Sequence, residues 1–577
     1  MAGLKPFLLY PWFLIAVLSA CEVHKEGANA VISFKTSDSV LQKLFDSAEQ
    51  KAKRNISLFG KYKVLVEGGG YNNVWLETQP MGGYMYAKRD LTIAENNIRI
   101  FMDLQREDGR IPGMISYRND TLIPHYGWFQ GYCFPMPAYE LYFLMGKNLN
   151  YLKQLYNVLE KFDHYLWKVR DSDKDGCLET WGVFDTGEDN CTRLGDAPNA
   201  WPFEYPPTEE RISSMSLADL KTYSQKTNYD FVHNAFPVPI ESMDIMSYSY
   251  TGRDVLSLIS KELKNGQEGY WRNKANEVKK KIKDYLWNQK EHACYDRDKS
   301  NLPMPILLHN NLRCMYYGSF DQEMADEFIK YHMLNPKEFW TPYPLPSIAA
   351  NDPYFRNVTE NNWSGQPEGL TYQRSIGAME NYGHYAELTM LGKRFLGVTG
   401  RYLNFTQQVD PFTSVPSSVS HDDAYGPSIL TALEFISRMY GIHVTQDNIY
   451  WSCLDSLHDY EYAQKWENQT FSLKAKKGQV SCFINDKRVF AFSAGIRVVT
   501  NLNGEITQVV GIDTTQKTAM TNDNEHNYPI TVRPNEVYKF SNKTGFFMKG
   551  GAPFFGRESN KADSQASQNK VFANTNN

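Results

Sequence analysis

Cysteine is scarce in this 577-residue chain. It has eight, none arranged as C-x-x-C, which argues against a cysteine-built zinc site and against a disulfide scaffold. Cys177 and Cys191 could pair in an oxidising compartment or serve as small buried hydrophobes. A basic excess is missing too. Against 66 Asp and Glu stand 61 Lys and Arg, a net charge of −5, so no basic excess is available to neutralise a phosphate backbone, which argues against general nucleic-acid binding. Beyond the N-terminus no apolar run approaches the ~18–20 residues of a membrane span. No repeat of fixed period occurs, which excludes a regular helical solenoid. What the chain does have is aromatic side chains: 12 Trp, 37 Tyr and 32 Phe. Their flat apolar faces and polar tips suit clefts that stack on sugar rings, and equally a tyrosine-rich helical core.

Residues 1–21 read as an address. Lys5 precedes an apolar stretch from Phe7 to Leu18, followed by Ser19, Ala20 and Cys21. This is the layout of a signal peptide, too short for a spanning helix. The closing cysteine makes it resemble a bacterial lipoprotein signal, with Cys21 as the lipidated first residue of the mature chain. The expectation is an exported protein in the periplasm or at the outer membrane, held by acyl chains alone.

From about residue 38 to 440 the apolar spacing is helical. In Arg89–Gln105, for example, Leu91, Ala94, Ile98, Phe101 and Met102 recur at offsets of three and four. Similar patterns cover 38–55, 133–145, 149–169, 243–263, 268–289, 321–334, 369–380, 382–397 and 425–440. After about 445 the period shortens. Thr470–Ala475, Val480–Ile484 and Arg488–Phe492 read as strands, and Asn503-Gly504 as a hairpin turn. The expected parts are a signal at 1–21, a helical domain over 22–445, a small β-sandwich over 446–555 and a disordered tail at 556–577.

The segment Arg170–Arg193 concentrates acidic residues. Asp171, Asp173, Asp175 and Gly176 look like the start of a calcium loop. An EF-hand would need a bidentate carboxylate at the twelfth position, which is Gly182, so that reading fails. A calcium site of another kind or a plain acidic turn remains. This segment resembles a pattern of inverting six-hairpin glycosidases, notably glycoside hydrolase family 63, the trehalases and the mannosylglycerate hydrolases. Their D-x-D-x-D-G-L, then E-S-G-x-D-N-S-x-R, is matched here by D-S-D-K-D-G-C-L at 171–178 and D-T-G-E-D-N-C-T-R at 185–193. Further blocks follow in family order: Gly131–Ala138, Trp340–Phe355, Asn362–Pro367 and His421–Pro427.

The resemblance implies a mainly α fold, an (α/α)6 toroid, with Asp189 as the general acid acting on an α-linked glucoside or mannoside in an oligosaccharide. It needs no organic cofactor. It also exposes a departure. The family base, a Glu in F-x-E-x-Y-D, falls on Gln407, and an amide cannot take a proton from water. Hydrolysis with inversion requires a second, ionised carboxylate facing the acid. Glu368, ahead of a helix, and Asp423 (with Asp422 beside it) are the candidate replacements. Asp185 and Glu188 could raise the proton affinity of Asp189, with Arg193 opposing them. Arg89, Asp90, Trp128, Gln130, Trp181, Trp340, Trp363 and Gln407 are candidate substrate contacts, and His384 is expected to pack between helices. Two other classes remain open: a non-catalytic glycan-binding lipoprotein, favoured by Gln407, and a polysaccharide lyase.

Overall fold

The computed structural model describes residues 32–195, 238–417, 423–541 and 543–556. The proposed signal with Cys21, the residues His421 and Asp422, and nearly all of the proposed tail lie outside them. Among the described residues no helix is long and apolar enough to cross a membrane.

Twelve α-helices are described: α1 Ser39–Arg54, α2 Gln79–Tyr86, α3 Leu91–Asp103, α4 Pro135–Leu144, α5 Leu149–Val169, α6 Met243–Leu263, α7 Glu268–Lys281, α8 Asn310–Tyr317, α9 Gln322–Phe328, α10 Gly369–Asn381, α11 Tyr385–Tyr402 and α12 Gly426–Tyr440. Local chemistry sets several starts. Asp38, Asp90 and Asn148 accept hydrogen bonds from the first free backbone N–H groups of α1, α3 and α5. The even-numbered helices form one ring. α2 packs on α4, α4 on α6, α6 on α8, α8 on α10, α10 on α12, and α12 returns to α2. Small residues permit the close contacts. A Cβ on Gly83 would sit 2.7 Å from Asn97 of α3, and one on Gly377 3.0 Å from Tyr316 of α8.

The C-terminal region is two antiparallel sheets. In one, Tyr460–Trp466, Gln469–Lys476, Gln479–Ile484, Lys487–Ser493, Lys517–Asn522 and Asn527–Val532 lie in order; the other holds Ile442–Val444, Asn448–Cys453, Ile496–Asn501, Ile506–Gly511, Glu536–Ser541 and Gly545–Gly551. Strand alternation is clear where Phe471, Leu473 and Ala475 are buried and Lys474 and Lys476 are exposed. Gly504, at φ +84°, turns the chain between Ile496–Asn501 and Ile506–Gly511, where the hairpin signal was read.

The boundary differs from the expected one. Ile32–Thr36 joins the first sheet as its edge strand, with Phe34 opposite Tyr462. Phe34 packs on Phe45 of α1 and on Tyr460 and Tyr462, so five residues ahead of the first helix belong to the sheet region. A cavity of about 650 Å³ lies where the ring helices end against the sheets, lined by Tyr84, Glu140, Tyr316, Glu380, Arg438 and Arg497 among others. The clustered carboxylates described next sit at the opposite end, where the ring helices begin.

Candidate active site

Every even-numbered helix starts at one end of the ring, and the segments entering these helices carry the polar groups. Glu77 precedes α2, Gln130 precedes α4, Asp244 begins α6, His309 and Asn310 begin α8, Glu368 caps α10 and Tyr425 caps α12. Helix N-termini carry partial positive charge, which favours carboxylates gathered there.

The loop with Asp189 is pinned from below. Asp185 receives Arg170 at 2.6 Å and the backbone N–H groups of Phe129 and Trp181. Glu188 is fully buried among Arg193, Thr186 and Asn310. Burial works against its charge, but Arg193 and Arg313 hold its carboxyl well below the usual range. Arg193 also pairs with Asp296. Neither Asp185 nor Glu188 is therefore a free charge beside Asp189, which corrects the expectation that they raise its proton affinity. Burial does so instead, pushing Asp189 up to about 6, while a hydrogen bond from Asn361 acts in the opposite direction. Asn361 Nδ2 donates to Asp189 Oδ2 at 2.8 Å, and Trp363 donates its backbone N–H to the Asp189 carbonyl at 3.0 Å. Asp189 Oδ1 has no hydrogen-bond partner among the described residues.

Glu368 enters from a short strand pair. Its backbone bridges Gln408, and Gly369 N–H donates to the Gln407 carbonyl at 2.8 Å. The side chain is 0 % exposed, and neither carboxylate oxygen has a partner among the described residues. Burial first, and then the charge of Asp189, raise its carboxyl well above the ordinary range, against the side-chain amides of Gln407 and Gln408, which favour its charged form. Glu368 does not cap α10 with its side chain.

Glu67 and Glu77 complete the acidic wall. Glu77 accepts from Gln130 Nε2 at 3.2 Å and Arg374 Nη2 at 3.4 Å, and burial pushes it up to about 7. Burial and the neighbouring Glu77 charge raise Glu67 well above its ordinary range, against a hydrogen bond from Tyr425. Gln407 sits between, accepting from the Tyr71 hydroxyl at 2.8 Å and donating to Asn361 Oδ1 at 3.1 Å.

Of the residues singled out in the sequence, the structure brings Asp189, Glu368, Gln130 and Gln407 together, with Trp363 behind the acid loop. Trp128 packs on Phe184 next to that loop. The others are placed elsewhere. Asp423 pairs with Lys51 of α1 at 2.6 Å. Arg89 grips Glu49 of α1 at 2.6 Å, and Asp90 caps α3. Trp181 is 1 % exposed, with Arg170 over its face and its indole N–H on Glu179. Trp340 is half-buried in the turn after Asn335. These five answer structural needs, pairing charges between segments or filling core. His384 packs between helices, bonded to Asp326 at 2.9 Å. Cys177 and Cys191 are both buried, free thiols. Glu67, Tyr71, Glu77 and Asn361 were missed; the only cue was the unusual run of Gly68, Gly69 and Gly70 beside a lone Glu.

Asp171, Asp173 and Asp175 bring carboxylate oxygens within 4.8 Å of one another, and Asp173 does the same with Glu179 and Glu241. Glu241 is 3 % exposed and its Oε2 has no partner among the described residues. Burial, with the nearby acids and against a hydrogen bond from the Cys177 thiol, pushes it up to about 8. The oxygen-only donor set suits a hard divalent cation. Glu179 and the distant Glu241 thus lie beside Asp173, where the twelfth position of the run, Gly182, carries no carboxylate.

A ring of helices gathering carboxylates at its N-terminal end is the site of a glycosidase, and this protein is one. Residues 81–425, well over half of the chain, match the mannosylglycerate hydrolase MGH1-like glycoside hydrolase domain, and the chain belongs to that family. Among solved structures, the glucose-bound GH63 mannosylglycerate hydrolase of Thermus thermophilus is 16% identical with a TM-score of 0.52, covering 68% of this chain and 99% of that one. A structure described as a sialidase has a TM-score of 0.59 at 14% identity, covering 82% of this chain and 41% of that one. The GH78 rhamnosidase of a Bacillus species has a TM-score of 0.50 at 10% identity, covering 78% and 41%. These likenesses concern the fold. No curated protein matches the chain.

Proposed function

We propose that this protein is an exported inverting glycoside hydrolase. The twelve helices among the described residues are read as belonging to a six-hairpin toroid followed by a small β-sandwich, and Cys21 as the lipid anchor. Asp189 is the general acid and Glu368 the general base, acting on an α-linked glucoside or mannoside in an oligosaccharide.

The observation that carries this reading is the pair of unpartnered carboxylates. Asp189 has one oxygen held by Asn361 and one free, as a group delivering a proton in a fixed direction needs. Neither Glu368 oxygen has a partner at hydrogen-bonding geometry among the described residues, as a group receiving a water molecule needs, although the Gln407 and Gln408 amides lie beside it. In the reaction Asp189 protonates the glycosidic oxygen as its bond to the anomeric carbon breaks. Glu368 takes a proton from water, whose oxygen attacks that carbon from the opposite face. Burial raises Asp189 to about 6 and Glu368 well above its ordinary range, so the pair shares a proton, and the arrangement that reacts is the one with that proton on Asp189 and Glu368 ionised. Gln407 cannot act as the base, but its strand pairs with the one bearing Glu368, so the carboxylate arrives from across that pair. This placement also weakens the case for a glycan-binding protein without catalysis, which rested on Gln407.

The test uses Asp189→Asn and Glu368→Gln on alkyl and dinitrophenyl glycosides, with NMR of the released anomer. The wild type should release the inverted sugar. Asp189→Asn should lose roughly 10²–10⁴-fold on alkyl glycosides but far less on dinitrophenyl ones, which need no protonation. Glu368→Gln should lose both, with azide restoring the second. The opposite pattern would exchange the two roles. Retained configuration would remove inversion.

We also propose that Asp173, Glu179 and Glu241, with Asp171 and Asp175 alongside, hold a structural calcium ion that fixes the base of the acid loop. The unpartnered, buried Glu241 oxygen supports it.

A further inference from the structure

Three side chains form a continuous chain of hydrogen bonds ending on the acid. The Tyr71 hydroxyl donates to Gln407 Oε1 (2.8 Å), Gln407 Nε2 donates to Asn361 Oδ1 (3.1 Å), and Asn361 Nδ2 donates to Asp189 Oδ2 (2.8 Å). Every link runs in the same direction. An asparagine amide has two faces of opposite character, and which one meets Asp189 decides which form of the acid it stabilises. The N–H₂ face stabilises the carboxylate; the carbonyl face accepts only from the protonated acid. Asn361 is held by its own carbonyl oxygen, and the group holding it is Gln407. A glutamate at 407 has no N–H to offer that oxygen. It would compete instead for the amide hydrogens that Asn361 gives to Asp189, and would add another carboxylate to a pocket already holding Glu67, Glu77, Asp189 and Glu368. Gln407 is 4 % exposed, and its backbone is fixed by the strand pair with Pro367–Gly369, so its amide is placed and not merely present.

We propose that Gln407 is a positioning residue that sets the protonation of Asp189 through Asn361, holding the asparagine so that its N–H₂ face meets the acid. The glutamine standing at the family's base position has thereby exchanged one role for another: from taking the proton of water to governing the group that gives one. This rests on the reading of Asp189 as the acid. Tyr71 anchors the far end of the relay, and Asn361 is its contact with the acid.

The test is a cycle of Gln407→Leu, Asn361→Leu and the double variant, each also made with Asp189→Asn. The first readout is thermal stability from pH 4 to 8. Subtracting each Asp189→Asn partner leaves the titration of Asp189 together with its coupling to Glu368, and this needs no substrate. In the wild type that difference curve should decline between pH ~4 and about 6, with its midpoint at pH ~5 and its upper end marking the value to which burial raises Asp189. Asn361→Leu should raise the midpoint, since the donor to the carboxylate is gone. Gln407→Leu should raise it by a smaller amount, and should add nothing once Asn361 is Leu. The second readout is the basic limb of kcat/KM, which should move with the midpoint. A Gln407→Leu shift that persists undiminished in the Asn361→Leu background would overturn the proposal, because Gln407 would then act on Asp189 by another route. So would an unmoved midpoint in a folded Gln407→Leu protein. If wild-type protein hydrolyses no glycoside, the hydrolase assignment falls, while the stability cycle still decides whether the relay exists.

Discussion

Asp189 illustrates how one residue links pH to both stability and activity. Burial raises its carboxyl from an ordinary value near 3.8 to about 6. The folded protein therefore holds this proton more tightly than the unfolded chain. Its contribution to stability is present in full below pH ~4 and is lost as pH rises through about 6, at most about 3 kcal/mol. Wild-type protein should lose melting temperature over that interval more steeply than Asp189→Asn, which has nothing to ionise; parallel curves would contradict the assignment. Activity has the same sign. kcat/KM should fall as pH rises through about 6, because the group that protonates the leaving oxygen is then ionised. Gly187 depends on Glu77 in a comparable way. It has φ +72°, and a Cβ there would lie 2.2 Å from Glu77 Oε2. Gly187→Ala should lower the melting temperature and depress kcat at least tenfold, since the acid loop and the acidic wall cannot both keep their places. Unchanged kinetics would show that the loop yields.

At the scale of elements, the clearest predictions concern the acid loop and its anchor. If calcium bridges Asp173, Glu179 and Glu241, chelation should lower the melting temperature by several degrees, reversibly on adding calcium. Saturating metal at about 100 times its Kd adds ~2.7 kcal/mol. Glu241→Gln should remove the response to chelator, and a response that survives this change would move the metal elsewhere. The sequence announced half of this site, the D-x-D-x-D run, but not Glu241, which lies far beyond the run and joins it only through tertiary packing. The same limit governs the helices. Leu149–Val169 was legible to the residue because it has one apolar face and one wet face; Met243–Leu263 was read from apolar side chains three and four apart over a long run, although most of it is buried. α2 and α8 were not read. Their residues are almost all buried, so no alternation of apolar and polar marks a period, and Gly82 and Gly83 argue locally against a helix. Both belong to the inner ring, and Glu77, just ahead of α2, was missed with it. Asp189 was legible because its loop carries a recognisable pattern. Asp423 was misjudged because sequence order cannot tell which side of a loop faces Lys51.

For the whole molecule, the two regions are fastened by buried polar contacts as well as by apolar packing. Arg497, on the strand Ile496–Asn501, reaches Glu380 at the end of α10 and the backbone carbonyl of Arg438 in α12. Asn535, between two strands, is 0 % exposed at φ +65°. Its Oδ1 accepts the N–H of Ala386 at 2.7 Å, and its Nδ2 donates to Glu387 Oε2 at 2.8 Å; Glu387 Oε1 accepts from the Phe555 N–H. One asparagine therefore satisfies both the start of α11 and a buried carboxylate. Replacing it separates stability from catalysis, because it lies beside the outer helix α11, away from the acid pocket. Asn535→Ala leaves the Ala386 N–H without its acceptor and Glu387 without one of its donors, His384 remaining 3.5 Å from it, and should cost about 2–6 kcal/mol, at roughly 1–3 kcal/mol for each group. Asn535→Asp is more informative. It keeps the acceptor for Ala386 but sets a second carboxylate against Glu387. One of the two must then hold a proton, so the variant should approach wild-type stability at pH ~4 and fall away steadily above it. kcat and KM should remain those of the wild type wherever the protein is folded. A matching loss of kcat in folded Asn535→Asp would mean that the sheets do more than brace the helices, and that strain at the α11 end reaches the acid pocket across the ring.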